Sequence, residues 1–178
     1  DELEQQVRAY RRLYLGWQVG TEESELHAFV RAHPMGGMLE SDLPSLRDNM
    51  LIFGEDFTTD YFTVILCDFL RHKWMASGES FTFETVMSHR SKIDLLRAAL
   101  NAGYRTYLYY VCTESVIINK ARIANRFQLG GHDVSNHTVE SRFVRSLGQL
   151  ADAIRHSSRA YVFDNSRETH RLIAEFSE

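Results

Sequence analysis

From residue 80 onward the sequence alternates between strand-like and helix-like segments, and this order restricts the folds that are open to the chain. The predicted strands are Ser80–Val86, Arg105–Cys112 and Ala160–Asp164, and the predicted helices are Ser91–Ala102, Val116–Phe127 and His137–Ile154. Strands that alternate with helices usually pair in parallel through right-handed crossovers. The pattern therefore predicts an α/β fold, a doubly wound and mostly parallel sheet with helices on both of its faces.

The N-terminal third is predicted to be helical and to contribute no strand of its own. The predicted helices are Glu2–Leu15, a segment from Thr21 to just before Pro34, and a segment from Thr58 or Thr59 to about Ala76. The first carries apolar residues at helical spacing, and the second opens with a capping sequence.

Composition is typical of a compact protein. The 178 residues, 44% of them hydrophobic, suffice for one core, so we expect a single domain at 1–178. The longest apolar runs, such as Tyr107–Cys112, are far shorter than the roughly 20 residues that cross a bilayer, and no membrane partner is expected.

Cys67 and Cys112 lie in apolar segments without paired spacing. Buried free thiols in a reducing, cytoplasmic setting are therefore predicted.

Charge and histidine spacing restrict the ligands further. The net charge of -4 gives no general attraction for nucleic acid, so we expect no nucleic-acid partner. The eight histidines show no paired metal-ligand spacing, and no metal site made by protein groups alone is predicted. Local clusters of positive charge could still hold phosphate groups.

Polar residues follow the predicted strand Ser80–Val86 before the next helix begins. Glu84, Thr85, Ser88 and His89 would lie at the carboxyl edge of the sheet, where open α/β folds bind their ligands. A structural interpretation stays open beside this one. Thr85 and Ser88 could cap the next helix, and Glu84 could pair with an arginine.

Four arginines surround a glycine-containing turn. Arg122 and Arg126 are four residues apart on one predicted helix, the turn Gly130–Asp133 follows, and Arg142 and Arg145 lie on the next helix. Such an arrangement can close over a polyphosphate, because the planar guanidinium group grips two phosphate oxygens at once. The alternative is a solvated basic face with acidic partners elsewhere.

A third polar segment, Asp164–Ser166, follows the predicted strand Ala160–Asp164. Asn165 could contact a nucleotide base or ribose there. A turn is the commoner explanation, since Asp, Asn and Ser are the usual residues of turns.

Five segments, in order and with compatible spacing, resemble the zeta toxin-like P-loop kinases. They are Phe81–His89, Gly103–Arg105, Gly130–Val134, Arg142–Leu147 and Phe163–Ser166. More narrowly, they are similar to a bacterial branch of UDP-N-acetylglucosamine kinase-like predicted ATPases. The resemblance covers nearly all of the chain and implies a P-loop kinase-like three-layer sandwich.

The resemblance implies roles on the acceptor side of a kinase cleft. Asp1 would be the catalytic carboxylate that accepts the proton of the substrate hydroxyl, a role that requires hydrogen-bond reach. Glu84 and Thr85 match residues that contact the sugar-nucleotide substrate in zeta toxins.

On the nucleotide side, Arg122 and Arg126 match arginines that flank the lid and contact the ATP phosphates. His132, Arg142 and Arg145 belong to the pattern of the narrower branch. Their charge and placement indicate phosphate binding as well.

Members of that family carry a strand, a Walker A loop and a helix ahead of these segments. No Gly-x-x-x-x-Gly-Lys-Ser/Thr pattern occurs in the 178 residues, so the backbone cradle and lysine that hold the β- and γ-phosphates are absent from this sequence. We expect the chain to be either a fragment that begins just after this unit or a degenerate member of the family.

The resemblance implies a nucleotide-dependent small-molecule kinase. It would transfer the γ-phosphoryl group of ATP or GTP to a hydroxyl, in zeta toxins that of UDP-N-acetylglucosamine, with Mg²⁺ between the phosphates. A toxin of this kind could be held inactive by an antitoxin protein that occupies the nucleotide site. A second class stays open: a catalytically inactive module that binds a nucleotide or nucleotide-sugar.

Overall fold

A computed structural model of the chain describes residues 7, 9–16, 20–39, 42–57, 60–131 and 133–177. The chain forms two compact units, residues 1–82 and 83–178, and each has its own hydrophobic core. The expectation of a single domain stays a prediction. Among the residues that are described, no helix is long and apolar enough to cross a bilayer.

The unit of residues 1–82 combines helices with a small antiparallel sheet. Its elements are β1 (Arg12–Tyr14), α1 (Glu23–Ala32), a 3-10 turn (Gly36–Met38), β2 (Ser45–Arg47), β3 (Met50–Ile52) and α2 (Asp60–Ser77). The strands pair in the order β1-β3-β2. Asp48 and Asn49 connect β2 to β3 with φ of 49° and 60°, the conformation that a two-residue type I′ hairpin turn requires.

This sheet corrects the prediction for the N-terminal third. A helix that runs to Leu15 is wrong, and so is the expectation of no strand, because β1 occupies residues 12–14. Leu13 is buried while Arg12 and Tyr14 are exposed, which is the alternation of a strand with one buried face. Arg11, at φ 50°, lies in a left-handed conformation that no helix continues through.

The other two helices predicted for this unit are confirmed, and they carry its core. α1 ends at Ala32, before Pro34, and α2 runs to Ser77. Apart from Pro44, the side chains of this unit that are buried to 2% exposure or less come from α1, β3 and α2; they are Leu26, Val30, Leu51, Phe62, Ile65, Leu66 and Phe69. Their spacing of three and four residues on each helix places them on one face, which packs against β3.

The unit of residues 83–178 contains the predicted alternation of strands and helices. Its elements are α3 (Ser91–Asn101), β4 (Tyr107–Cys112), α4 (Val116–Gln128), α5 (Asn136–Arg155), β5 (Arg159–Asp164) and β6 (Arg171–Ser177). Three helices and two strands predicted for this region are therefore confirmed to within two residues at each end. β6 is an additional strand that the sequence pattern did not indicate.

The predicted doubly wound, mostly parallel sheet is wrong. β4 and β5 pair in parallel, but β5 and β6 are antiparallel, so this sheet is mixed and its order is β4-β5-β6. The sheet of residues 1–82 is antiparallel. Two separate three-stranded sheets in the described residues do not make a P-loop kinase-like three-layer sandwich.

The segment Ser80–Val86 is not a strand, contrary to prediction. Glu84, Thr85 and Val86 are exposed one after another, and Met87 has a φ of 52°. A strand forms where a neighbouring backbone accepts and donates its ladder hydrogen bonds. No strand of the described residues pairs with this segment, and its alternating pattern was therefore not enough to predict its structure.

Helices on both faces of the sheet were also predicted wrongly for this unit. The core cluster joins one face of the sheet to α3 and α5; it comprises Met87, Ile93, Tyr110, Ala153 and Val162. On the other face of β4, Tyr107, Tyr109 and Val111 are exposed to 46%, 65% and 58%. Tyr109 stacks there on Tyr161 of β5, with ring centroids 5.1 Å apart.

Candidate functional site

The carboxyl ends of β4 and β5 lie side by side, because the two strands are parallel. The Asn165 amide donates a hydrogen bond to the Cys112 carbonyl at 2.8 Å, and the Glu114 amide donates one to Ser166 Oγ at 2.8 Å. The two loops that follow the strands are thereby tied together. This edge is where an open α/β sheet presents polar groups to a ligand.

The segment Asp164–Ser166 forms a turn at this edge. Asp164 Oδ1 accepts hydrogen bonds from the Ser166 hydroxyl and, at 2.9 Å, from the Ser166 amide. These two bonds, helped by the nearby Arg171 and Arg167, hold the pKa of Asp164 below its ordinary value. The turn is a structural explanation for Asp164 and Ser166. The Asn165 side chain is half-buried, and its contact with a nucleotide stays a prediction.

α4 begins at the same edge. Ser115 is its N-cap, and Ser115 Oγ accepts a hydrogen bond from the Ile117 amide at 3.2 Å. Thr113 Oγ1 donates to Asn119 Oδ1 at 3.2 Å and so fixes the loop on the first turn of the helix. The position of α4, and hence of its arginines, follows from the end of β4.

α4 and α5 form a helical hairpin that carries the four predicted arginines. The two helices pack on each other, and Lys120 of α4 forms an ion pair with Glu140 of α5. That hydrogen-bonded lysine lowers the pKa of Glu140. The side chains of Arg122, Arg126, Arg142 and Arg145 are all exposed, and none has an ion-pair partner within the described ranges.

The loop after α4 is built around its two glycines. Gly130 has a φ of 88°, which favours glycine, and the Gly131 amide donates to the Arg126 carbonyl at 3.0 Å. A Cβ atom at Gly131 would lie 2.8 Å from Arg126 Cγ and 2.9 Å from the Arg126 carbonyl oxygen. Arg126 is thus held against the turn. His132, which follows, lies outside the described residues, and so does Asp1.

The predicted acceptor residues lie in an extended loop, residues 83–89, that precedes α3. Glu84 is exposed, and it forms no ion pair with an arginine in the part of the chain that is described. Thr85 Oγ1 accepts a hydrogen bond from the Met87 amide at 3.1 Å. His89 Nδ1 accepts one from the Ser91 amide at 3.3 Å at the start of α3. The N-cap of α3 is Arg90, which makes no side-chain capping hydrogen bond, so neither Thr85 nor Ser88 caps this helix.

Gln149 connects this loop to α5. Its Nε2 donates to the Met87 carbonyl at 3.0 Å and, more weakly, to the Arg145 carbonyl at 3.5 Å. The loop that carries Glu84 and Thr85 therefore sits next to the helical turn that carries Arg145. The sequence patterns did not identify Gln149, since a single glutamine in a helix gives no signal for a contact 62 residues away.

Metal ligation by protein groups alone has no support in the described residues, which contain no group of three or more His, Cys, Asp or Glu that could hold a metal ion. The two cysteines are free, as predicted, but they are half-buried and not buried as predicted. Burial, followed by the charge of Asp164, raises the pKa of Cys112.

A separate open groove lies in the unit of residues 1–82, with a volume of about 410 Å³ open to water. It is lined by His27, Val30, Arg31, Gly36, Leu39, Asp42 and Leu43. None of these residues was predicted to be functional. His27 Nε2 lies 2.9 Å from the Pro44 carbonyl, a contact within the unit itself.

No family model, no curated protein and no solved structure matches the chain. The interpretation of the site therefore depends on the geometry of these residues and their chemistry.

Proposed function

We propose that this chain is a nucleotide-dependent small-molecule kinase that transfers the γ-phosphoryl group of ATP or GTP to a hydroxyl. The observation that carries the proposal is the set of four exposed arginines on the α4–α5 hairpin, none of them ion-paired in the described part of the chain. Adjacent guanidinium groups repel one another, and a bound polyphosphate would relieve that repulsion. Arginine pairs that flank a turn are therefore more stable with a polyphosphate bound than with water alone around them.

Each group of residues has its own task in this proposal. Arg122 and Arg126, with Arg142 and Arg145, hold the phosphates of the nucleotide and stabilise the charge that spreads over the transferred group. ATP or GTP supplies the phosphoryl group itself. The reaction breaks the bond between the γ-phosphorus and its bridging oxygen and forms a new phosphorus–oxygen bond at the acceptor hydroxyl.

On the acceptor side, the exposed Glu84 carboxylate can accept a hydrogen bond from a sugar hydroxyl, and the Thr85 hydroxyl can donate one. The proton of the reacting hydroxyl needs an acceptor carboxylate, which the resemblance assigns to Asp1. UDP-N-acetylglucosamine is the acceptor we propose, with a toxin role that an antitoxin protein would suppress. Folds host many chemistries, so this acceptor rests on resemblance and has to be tested directly.

The direct test is an assay for phosphoryl transfer. The 178-residue chain is incubated with radiolabelled ATP or GTP, Mg²⁺ and UDP-N-acetylglucosamine, and the products are separated by chromatography. We expect a labelled sugar nucleotide whose formation is lost in Arg126→Ala. Arg97→Ala is the matched control, because Arg97 is also a helical arginine but pairs with Asp94 at 2.9 Å. Equal activity in both variants would contradict the proposal.

A second candidate is a module that binds a nucleotide or nucleotide-sugar without transfer. The absence of any Gly-x-x-x-x-Gly-Lys-Ser/Thr pattern favours it, because the cradle for the β- and γ-phosphates is then lacking in these residues. Calorimetric titration with the same ligands separates the two functions. Binding without a labelled product supports the module. If the chain shows no binding and forms no product, both functions are ruled out for it.

A further inference from the structure

Gln149 has an unusual set of contacts for a residue in the middle of α5. Its Nε2 holds the Met87 carbonyl, while its Oε1 is buried and has no hydrogen-bond partner among the described residues. A buried acceptor without a donor is costly, and an apolar side chain of the same size would avoid that cost. The glutamine is therefore poorly explained by packing alone.

Met87, which Gln149 holds, is itself in a strained conformation. Its φ of 52° lies in the left-handed region, where a side chain other than glycine is disfavoured. The Met87 side chain is only 4% exposed, and its amide donates to Thr85 Oγ1. Three contacts thus hold the backbone there: the buried side chain, the hydrogen bond to the Thr85 hydroxyl and the hydrogen bond from the Gln149 amide.

These contacts hold the backbone that directly follows Glu84 and Thr85. Because Thr85 Oγ1 accepts from the Met87 amide, its own hydrogen is left to donate elsewhere. Because Gln149 also touches the Arg145 carbonyl, the loop is fixed relative to the helical turn that bears Arg145. We propose that Gln149 is a positioning residue, which holds Glu84 and Thr85 in place for a sugar hydroxyl beside the phosphate-binding arginines.

This inference rests on the proposed function, and the experiment separates the two. Two probes are titrated by calorimetry into the 178-residue chain: inorganic pyrophosphate, which tests the arginines, and UDP-N-acetylglucosamine, which tests the loop. In Gln149→Met, which keeps the size of the side chain, we expect about tenfold weaker binding of UDP-N-acetylglucosamine, the effect of losing one positioned hydrogen bond. Pyrophosphate affinity should be unchanged.

Two further variants show whether weaker binding results from a general loss of the fold. Gln149→Glu keeps the size and replaces the donor to Met87 with a charged carboxylate oxygen, which cannot donate to that carbonyl, so it should also weaken binding of UDP-N-acetylglucosamine. Ser146→Ala is the matched control one turn earlier on α5, because it breaks the buried hydrogen bond of Ser146 with Tyr110 (3.1 Å) and leaves Met87 untouched. Hydrogen exchange at residues 87–89 should increase in both Gln149 variants and stay unchanged in Ser146→Ala.

The outcomes test the role of Gln149 and the proposed function separately. Unchanged binding of UDP-N-acetylglucosamine in the Gln149 variants, or an equal loss for both probes, overturns the positioning role and leaves the proposed function standing. If the wild-type chain binds neither probe, the proposed function is wrong and the role of Gln149 falls with it.

Discussion

Among single side chains, the four arginines of the α4–α5 hairpin differ from three other helical or helix-flanking arginines of the same unit in what surrounds them. Arg90 and Arg155 share Asp152, and Arg97 pairs with Asp94. Exposed pairs of this kind contribute little stability, but they neutralise charge locally. The arginines of the hairpin have no carboxylate partner among the described residues.

The first prediction concerns Arg126. Arg126→Ala should weaken binding of inorganic tripolyphosphate about tenfold, because a charge-assisted hydrogen bond to phosphate is lost. Arg126→Lys should recover only part of the affinity, since an ammonium group lacks the planar fork. Calorimetry gives the affinities, and thermal unfolding should show an unchanged midpoint because the side chain is exposed. An equal weakening by Arg97→Ala would contradict a specific role for Arg126.

The second prediction concerns pH and Asp164. Since its pKa is lowered in the folded chain, the carboxylate stabilises the fold above the ordinary carboxyl pKa, and this stabilisation is lost as the pH falls through the lowered value. Asp164→Asn should therefore destabilise the chain near pH 6 and destabilise it less near pH 2, because the stabilisation shrinks as the pH falls below the ordinary value of about 3.9. Urea unfolding at both pH values measures this. Ser166→Ala should reproduce part of the effect, and a pH-independent difference would refute it.

At the level of elements, the hairpin shows how local sequence places a site. α4 starts where β4 ends, its cap is Ser115, and the glycine turn after it returns the chain as α5. α4 buries none of its side chains completely, so its position depends on these end contacts and on the ion pair of Lys120 with Glu140. A change in the turn should therefore move its arginines.

The third prediction compares two glycines. Gly131→Ala should destabilise the chain by roughly 1–3 kcal/mol, because the new Cβ meets the Arg126 carbonyl oxygen and Cγ closer than real contacts allow. Gly148→Ala should instead stabilise it by up to about 1 kcal/mol, because Gly148 lies inside α5 with open space around it. Urea unfolding of both variants tests the difference in sign. A destabilising Gly148→Ala would contradict this account of α5.

Across the whole molecule, each of the two units depends on its own core. α2 supplies the first core from a single face, and neighbouring residues on that helix differ sharply in burial: Ile65 is 0% exposed and Val64 is 43% exposed. The stability of the unit of residues 1–82 should follow this pattern.

The fourth prediction uses that adjacent pair. Ile65→Ala should cost about 2–5 kcal/mol, because it removes buried methyl groups and leaves a cavity. Val64→Ala should change the free energy of unfolding by no more than about 0.5 kcal/mol, since that side chain is partly in solvent. Denaturant unfolding measures both, and hydrogen exchange should locate the loss in residues 1–82. Similar costs at the two positions would mean that α2 buries a different face.

The sequence was sufficient to predict most helices and the strands β4 and β5, because the signals for these elements are local. Helical spacing, caps and glycine stops act over one or two turns, and continuous apolar runs such as Tyr107–Cys112 are typical of buried strands. The arginine pairs of the site were found for the same reason. Residues four apart on a helix share a face wherever that helix packs.

Pairing and long-range contacts were decided only by the tertiary structure. Ser80–Val86 has a strand-like pattern, yet no described strand pairs with it, whereas β1 and β6 became strands because β3 and β5 offered them free edges. Gln149 reaches Met87 and Glu114 reaches Ser166 across more than fifty residues. A backbone hydrogen bond needs its partner to be present, and that partner is chosen by the packing of the whole chain and not by the segment itself.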